Sequence, residues 1–489
     1  MEFRGKIGFV LGPLVFILIL LLPFLPQNPI AHSLLAVFSL VVVFWVTECI
    51  PIPVTALSIP ILLTLLGITP IKGAFAPFAN PIIMLFLGSF ILARAMCLHA
   101  LDRKLAFAVL SMKAIAGRRL RILIALGCIT AFLSLWISNT ATTAMMFPIA
   151  LGILDAFRSK AEDQEQGAYT PGLLLSLAYA ASIGGIGSPI GSPPNLIAIG
   201  MMEKLAGYRI TFFQWMMIGF CVLLPMLLFL FLYMRLKIGK EVGDKKRMRT
   251  DGLAGMNAGG ALTRGQKNVL FAFGITVSLW VFPGFVSLFW GKDTALYLWF
   301  NRHLPESAAA LLGACLLFVL PGDWKKGKFT ISLKDAMRVD WGTLLLFGGG
   351  LSLGVAMFET GLADAMGRFI ISLGGESAGL GLVCFLAVTL SVFLAELTSN
   401  TASANMIIPI IIAVSQALSI NPLPPVIGSA IGCSFAFMLP VATPPNAIVY
   451  GSERIRLPLM IRTGFWLNIA GIVIIWAGVM IVAPLLGLI

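Results

Sequence analysis

The tripeptide Ser138-Asn139-Thr140 returns as Ser399-Asn400-Thr401, 261 residues further along the chain, and both copies lie inside apolar stretches. The match extends outward, SNTATTAMMFPI around the first copy and SNTASANMIIPI around the second. At the same offset Phe86, Gly88, Ala95 and Met96 fall on Phe347, Gly349, Ala356 and Met357. A single offset held over that distance marks an internal duplication. A second motif is also doubled: Ser192-Pro193-Pro194-Asn195 and Thr443-Pro444-Pro445-Asn446, 251 residues apart. The difference between the two offsets is absorbed by the polar loop at 155–171, which is longer than its counterpart. Two like halves, each with polar residues buried in an apolar run, point to one site built from both.

The apolar runs need lipid. Of the 489 residues 59% are hydrophobic and 11% charged, against roughly 25% charged in a soluble domain. Mean hydropathy is +0.98, and runs near the ~20 residues that cross a bilayer recur throughout. The net charge of +13 would suggest nucleic acid in a soluble protein. Here the basic residues cluster in short loops, at 103–121, 235–267, 325–338 and 454–462, without interleaved aromatics that could stack bases. No nucleic-acid partner is expected; the pattern is that of positive-inside topology. The seven cysteines lack CxxC pairing and the three histidines lack ligand spacing, so no disulfide framework or histidine metal site is expected. The basic, then apolar, N-terminal run carries no small-residue cleavage pattern and reads as a first transmembrane helix with Arg4 and Lys6 inside.

The expected fold class is an all-α polytopic membrane protein with about eleven transmembrane helices and two re-entrant hairpins. The spans are placed near 8–25, 31–49, 54–70, 80–101, 171–201, 213–234, 268–290, 305–321, 341–363, 424–451 and 464–488. The hairpins are placed at 122–154 and 379–419. Reading either hairpin as one full crossing would turn the basic 235–267 linker outward, against the charge bias. The fourth span matches the ninth, five crossings later, and an odd number of crossings inverts orientation. The expected architecture is therefore an inverted-topology repeat, with hairpins entering from opposite sides and tips meeting near the midplane. The basic segment 102–121 is expected to lie on the cytoplasmic surface. The chain is placed in the cell's inner or plasma membrane with a cytoplasmic N-terminus and an outside C-terminus.

Paired prolines inside a span remove two donors and break the helix. Lipid cannot satisfy the freed carbonyls, so this backbone must line a protein-enclosed cavity. Between 122 and 154, and between 172 and 202, there is no charged residue; between 379 and 452 the only one is Glu396. An anion held at these tips meets helix dipoles, hydroxyls and amides, and the remaining charge falls to co-bound cations. A neutral site rich in Ser, Thr, Asn and carbonyl oxygens suits sodium. Two acids within apolar runs, Glu48 and Glu396, are open to either a proton-carrying or a bracing role. Arg94 and Glu359, near span ends, are expected to snorkel or pair.

The doubled SNT, the doubled [ST]PPN and the segment FWVTECIPIPVTALSIP at 44–60 together resemble the divalent anion/sodium symporters, which carry di- and tricarboxylates or sulfate. The resemblance covers most of the chain. It implies a homodimer in which each protomer has a scaffold domain and a transport domain that moves as an elevator. On this chain the division becomes a scaffold at 1–121, a first transport half at 122–234, a cytoplasmic linker at 235–267, a second scaffold part at 268–378 and a second transport half at 379–489. The resemblance implies two sodium sites. The first falls on Ser134, Ser138, Asn139 and Gly191, with Gly187 as the alternative to Gly191. The second falls on Ala395, Thr398, Asn400 and Ala442, largely through backbone carbonyls. It implies substrate carboxylates held by Asn139, Thr140, Asn400 and Thr401, with Ser192, Pro193, Thr443 and Pro444 completing the pocket. One departure stands out: Ser134 has Ala395 as its repeat partner, so a hydroxyl is missing from the second cation site.

The reading is a secondary active transporter for C4-type dicarboxylates coupled to sodium, not an enzyme. A membrane-embedded enzyme would need a nucleophile with a base, or metal ligands, and a channel would not need two hairpins sealed from opposite sides. A sodium-independent dicarboxylate exchanger, or a citrate or sulfate symporter, are the near alternatives. An exchanger would be expected to place a basic side chain near the pocket, and these segments have none.

Overall fold

The computed structural model describes residues 3–110, 112, 115, 119–157, 167–239, 261–374 and 379–485. The core of the 235–267 linker and most of the 155–171 loop therefore lie outside the described residues, as does much of the 102–121 segment beyond its first helix.

Among the described residues the chain is built from helices, with one two-stranded ribbon. In order they are α1 (Phe3–Leu21), α2 (Pro29–Thr47), α3 (Ile52–Leu65), α4 (Ile71–Phe75), α5 (Pro81–Leu98), α6 (Leu101–Leu110), α7 (Arg119–Ser134), α8 (Asn139–Ala156), α9 (Tyr169–Gly185), α10 (Pro193–Ala206) and α11 (Phe212–Ile238). The second half holds α12 (Arg264–Trp290), α13 (Ala295–His303), α14 (Glu306–Val319), α15 (Leu333–Ala336), α16 (Trp341–Glu359), α17 (Leu362–Gly374), α18 (Leu380–Leu397), α19 (Asn400–Ala417), α20 (Leu423–Cys433), α21 (Pro444–Tyr450) and α22 (Leu457–Leu485). Antiparallel strands β1 (Pro321–Asp323) and β2 (Lys328–Phe329) follow α14.

Among the described residues eight helices are long and apolar enough to cross a membrane, or nine if the bent pair α13–α14 makes one span. One of the eight, α18, falls in the expected second hairpin at 379–419 and not among the expected spans, and by length and composition it could cross a membrane on its own. The remaining expected spans are α3, too short to meet the same length, and two helices interrupted at their middle, α9–α10 and α20–α21. Helices such as α1 and α12 carry their apolar side chains outward, among them Phe3, Phe9, Leu14, Phe285, Leu288, Phe289 and Trp290. An exterior of that kind belongs against lipid. The first expected hairpin starts slightly earlier than the sequence placed it. Arg119 to Arg121 already belong to α7, because a basic first turn can reach the interface while its stem stays apolar.

The duplication is visible in packing. Phe86 on α5 and Phe347 on α16, matched by the repeat offset, touch with ring centroids 5.9 Å apart. The matched glycines Gly88 and Gly349 each admit a helix of the other half. A methyl group at Gly88 would come within 2.6 Å of the Ala310 carbonyl carbon on α14, and one at Gly349 within 2.3 Å of the Ala56 carbonyl oxygen on α3. Likewise α8 packs on α21 and α19 packs on α10, so each tip helix rests on the broken helix of the opposite half.

Candidate binding site at the four helix breaks

Three of the four breaks follow from local sequence; at Ser399, which precedes α19, no side-chain cap forms. Ser138 N-caps α8, its hydroxyl accepting from Ala141 N at 3.3 Å. The residue before a proline is pushed out of the helical region. Ser192 (φ −138°, ψ 134°) and Thr443 (φ −140°, ψ 147°) adopt nearly the same extended conformation, and the two prolines that follow each begin a helix, where a missing N–H costs nothing. Thr443 Oγ1 accepts from Asn446 N at 3.3 Å, whereas Ser192 Oγ instead shares a hydrogen bond with Ser434 Oγ at 2.8 Å, joining the two breaks.

The first tip is tightly satisfied. Ser134 Oγ and the Asn139 side-chain amide lie 2.7 Å apart. With its nitrogen turned inward, Asn139 donates to Ala181 O at 3.1 Å and Gly191 O at 3.3 Å. With its oxygen turned inward, the same pocket becomes a cluster of oxygens that only a cation would reconcile. Gly191 must be glycine here: a methyl group would come within 2.6 Å of the Gly185 carbonyl oxygen and 2.7 Å of that of Ser134. The alternative, Gly187, abuts the Leu135 and Leu223 side chains instead. Ser188 Oγ donates to Leu135 O and accepts from Gly191 N at 3.2 Å.

At the second tip Ala395 and Ala442 are buried together with Ala436. Asn400 Oδ1 is buried without a hydrogen-bond partner. Thr398 Oγ1 donates to Trp45 O on α2 at 2.8 Å, which ties this tip to α2. Glu396 is a brace: its carboxylate accepts from Met438 N at 2.7 Å, Leu439 N at 3.1 Å and Asn468 Nδ2 at 2.7 Å. The Arg4 guanidinium donates to Val46 O and Leu397 O, a cation beside this tip that the sequence reading did not place there.

The two tips and both breaks line one cavity of about 830 Å³. Each of the eight residues expected to hold substrate, Asn139, Thr140, Ser192, Pro193, Asn400, Thr401, Thr443 and Pro444, is on its wall. Of the expected cation ligands Ser138, Asn139, Asn400 and Ala442 also line it. Ser134 and Gly191 sit behind Asn139. Among the described residues no Lys or Arg lines this cavity, but Glu48 and Asp340 do. Asp340 escaped the sequence reading because it caps α16 outside the apolar tip segments, accepting from Thr343 N at 3.1 Å and Thr343 Oγ1 at 2.6 Å. Glu48 ends α2 in a left-handed conformation, φ 52°, uncommon for a residue with a side chain. Arg94, which is not on the cavity wall, keeps a buried Nε without a partner.

Helices α8, α10, α19 and the short α21 begin at this cavity, so their positive ends converge on it. Each is worth about 0.3–1 kcal/mol to an anion, up to ~2 where buried. The penalty for desolvating an ion is several kcal/mol even after relaxation. Dipoles, hydroxyls and amides thus favour an anion without neutralising it, and with two carboxylates on the wall the balance falls to cations.

Residues 7–489 match the model of the sodium:sulfate symporter transmembrane region. The sodium-dependent dicarboxylate transporter SdcS of Staphylococcus saprophyticus is 36% identical over 499 residues, covering 99% of this chain and 92% of that protein. SdcS of Staphylococcus aureus is 34% identical over 98% of this chain and 91% of its own. Among solved structures the YdaH transporter of Alcanivorax borkumensis overlays with a TM-score of 0.56 at 15% identity, covering 83% of this chain and 86% of that one. MtrF of Neisseria gonorrhoeae overlays at 0.55 and 12%, covering 86% and 84%. At that identity the overlays speak for the fold alone.

Proposed function

The chain belongs to the sodium:sulfate symporter family, and we propose that it is a multi-pass secondary transporter that carries a C4-type dicarboxylate together with sodium. The observation that carries this reading is the cavity where four helix N-termini meet with no basic side chain on the wall among the described residues. Its hydroxyls and amides suit two carboxylates, and its uncompensated charge calls for co-bound cations. The relatives named for sodium-dependent dicarboxylate transport support the same pairing. Asn139 and Thr140 take one carboxylate and Asn400 and Thr401 the other, with Ser192, Pro193, Thr443 and Pro444 closing the walls. One sodium sits among Ser134, Ser138, Asn139 and Gly191, where the Asn139 amide can turn its oxygen inward. The second sits among the carbonyls of Ala395, Thr398 and Ala442 with Asn400, whose free Oδ1 accepts it.

In this reading the two halves are inverted repeats, α7–α8 and α18–α19 are hairpins entering from opposite sides, and the N-terminus is cytoplasmic. The transport halves at 122–234 and 379–489 move against a dimeric scaffold. The shared packing of α8 on α21 and α19 on α10 favours motion as one body.

Uptake of labelled succinate into proteoliposomes, with and without an inward sodium gradient, tests the reading. Uptake is expected to rise with sodium, and malate and fumarate to compete more strongly than citrate or sulfate. Equal uptake from sodium-free choline buffer, with succinate preloaded inside, would establish exchange and sink symport.

A further inference from the structure

Both [ST]PPN motifs end in an asparagine that the carboxylate and sodium assignments leave unused. Asn195 and Asn446 are each fully buried. Asn195 Nδ2 donates to Gly185 O at 2.9 Å and Ser188 O at 2.8 Å. Asn446 Nδ2 donates to Ala436 O at 2.9 Å and Leu439 O at 3.0 Å. In each half the acceptors stand ten and seven residues before the asparagine. Each Oδ1 is buried without a partner, so in both halves the group is retained for its two N–H donors while its acceptor goes unmet.

We infer that Asn195 and Asn446 are positioning residues for the two cation half-sites, each fixing the shape of the unwound segment that carries a cation-ligand carbonyl, Gly191 in the first half and Ala442 in the second. This rests on the sodium-coupled reading above. The argument is geometric. An unwound strand of backbone has no ladder to orient its carbonyls, whereas an ion site requires its oxygens held to within about 0.5 Å. One planar NH₂ group bonded to two carbonyls sets both their separation and their tilt. In the first half the Gly185 carbonyl so fixed is the one packed against Gly191, which in turn lies against the Ser134 carbonyl. In the second half the held carbonyls belong to Ala436 and Leu439. Ala436 packs with Ala395 and Ala442, and the Leu439 N–H is held from the other side by Glu396. The prolines break the helix, and the asparagine three residues after the Ser or Thr sets the shape of the break.

The test uses full-length Asn195→Asp, Asn195→Ser, Asn446→Asp and Asn446→Ser, purified in detergent and reconstituted. The aspartate keeps the volume and loses both donors; the serine loses them without adding charge. Two quantities are read: the sodium concentration giving half-maximal thermal stabilisation, and the succinate KM for uptake at saturating sodium. The expected result is an increase of about tenfold in the sodium midpoint for each residue, with a much smaller change in succinate KM and uptake recovering at high sodium. Loss of uptake with an unmoved sodium midpoint would overturn the proposal. So would failure of both the Asp and the Ser variant to give monodisperse protein, which would make the asparagine a folding brace only. A wild-type protein indifferent to sodium would overturn the functional reading, and this proposal with it; a sodium-sensitive wild type with unmoved variants overturns this proposal alone.

Discussion

The two tips are the same motif solved differently. In the first half, tip and break are joined by a hydroxyl: Ser188 Oγ donates to the Leu135 carbonyl. At the matched positions of the second half stand Leu439 and Glu396, and the polarity is reversed, with the Leu439 N–H donating to the Glu396 carboxylate at 3.1 Å. The first break, 186–192, is buried along its whole length, whereas the second, 434–443, opens at Val441. A buried break can be locked by neutral groups from its own half. A break open on one side needs a stronger clamp, and a buried carboxylate accepting from two backbone N–H groups and Asn468 supplies it. A second contrast lies at the tips. Asn139 is met by Ser134, while Asn400, facing Ala395 at the matched position, keeps an unmet Oδ1. The Asn139 amide is therefore held by its own half, whereas the Asn400 side-chain oxygen is not.

The largest expected effect follows from the clamp. Glu396→Ala leaves the Met438 and Leu439 N–H groups and the Asn468 amide unpaired in the interior. Hydrogen bonds to a charged group are worth about 1.5–3 kcal/mol each, so a loss of about 3 kcal/mol or more is expected, with transport abolished. Thermal unfolding in detergent, without sodium, measures it. Ser188→Ala, which removes the side chain that joins tip and break in the first half, should cost about 1 kcal/mol. If the two variants melt alike, the contrast between the halves is broken.

Glu396 also shows how far the sequence could be read. Its place one turn before Ser399 was legible; its role was not, because the partners, Met438, Leu439 and Asn468, are up to 72 residues away. Helix breaks at Ser138, Ser192 and Thr443 could be read directly, since a capping hydroxyl and paired prolines act locally, and that at Ser399 by its repeat of the Ser138 tripeptide. The convergence of the breaks on one cavity was legible from the duplication alone. Asp340 was missed since it reaches the cavity from a loop, and the Arg4 contact with Leu397 since a first-turn arginine reads as a topology signal. The asparagines of [ST]PPN carried a signal, their duplication, that the prolines beside them obscured.

A smaller and more discriminating effect is expected from the tip asparagines. Asn139→Ala and Asn400→Ala should both abolish dicarboxylate uptake, because each is placed at a carboxylate and a cation. Their stabilities without sodium should differ. Asn139→Ala strips Ser134 Oγ and the facing carbonyls of a partner, for a loss of about 1–2 kcal/mol. Asn400→Ala removes an acceptor that has no partner and should be neutral within about 0.5 kcal/mol. Equal losses would mean that Asn400 is as well satisfied as Asn139, and retained uptake in either variant would remove that residue from the site.

The smallest effect is a repair. Ala395→Ser gives the second tip the hydroxyl that Ser134 provides in the first. If the two tips share one geometry, the new hydroxyl stands near the unmet Asn400 Oδ1 as Ser134 Oγ stands 2.7 Å from the Asn139 amide. One hydrogen bond to a buried acceptor is worth about 0.5–1.5 kcal/mol, offset in part by crowding against Ala436 and Ala442. The sodium-free melting temperature should therefore rise by a few degrees, the direction opposite to that of most core substitutions. Sodium should then add less stability than it adds to the wild type, because the acceptor it served is already occupied. A fall in sodium-free stability would show that the second tip is shaped differently from the first, so that alanine at 395 is required by the packing of three small residues and the missing hydroxyl is no vacancy in the second half-site.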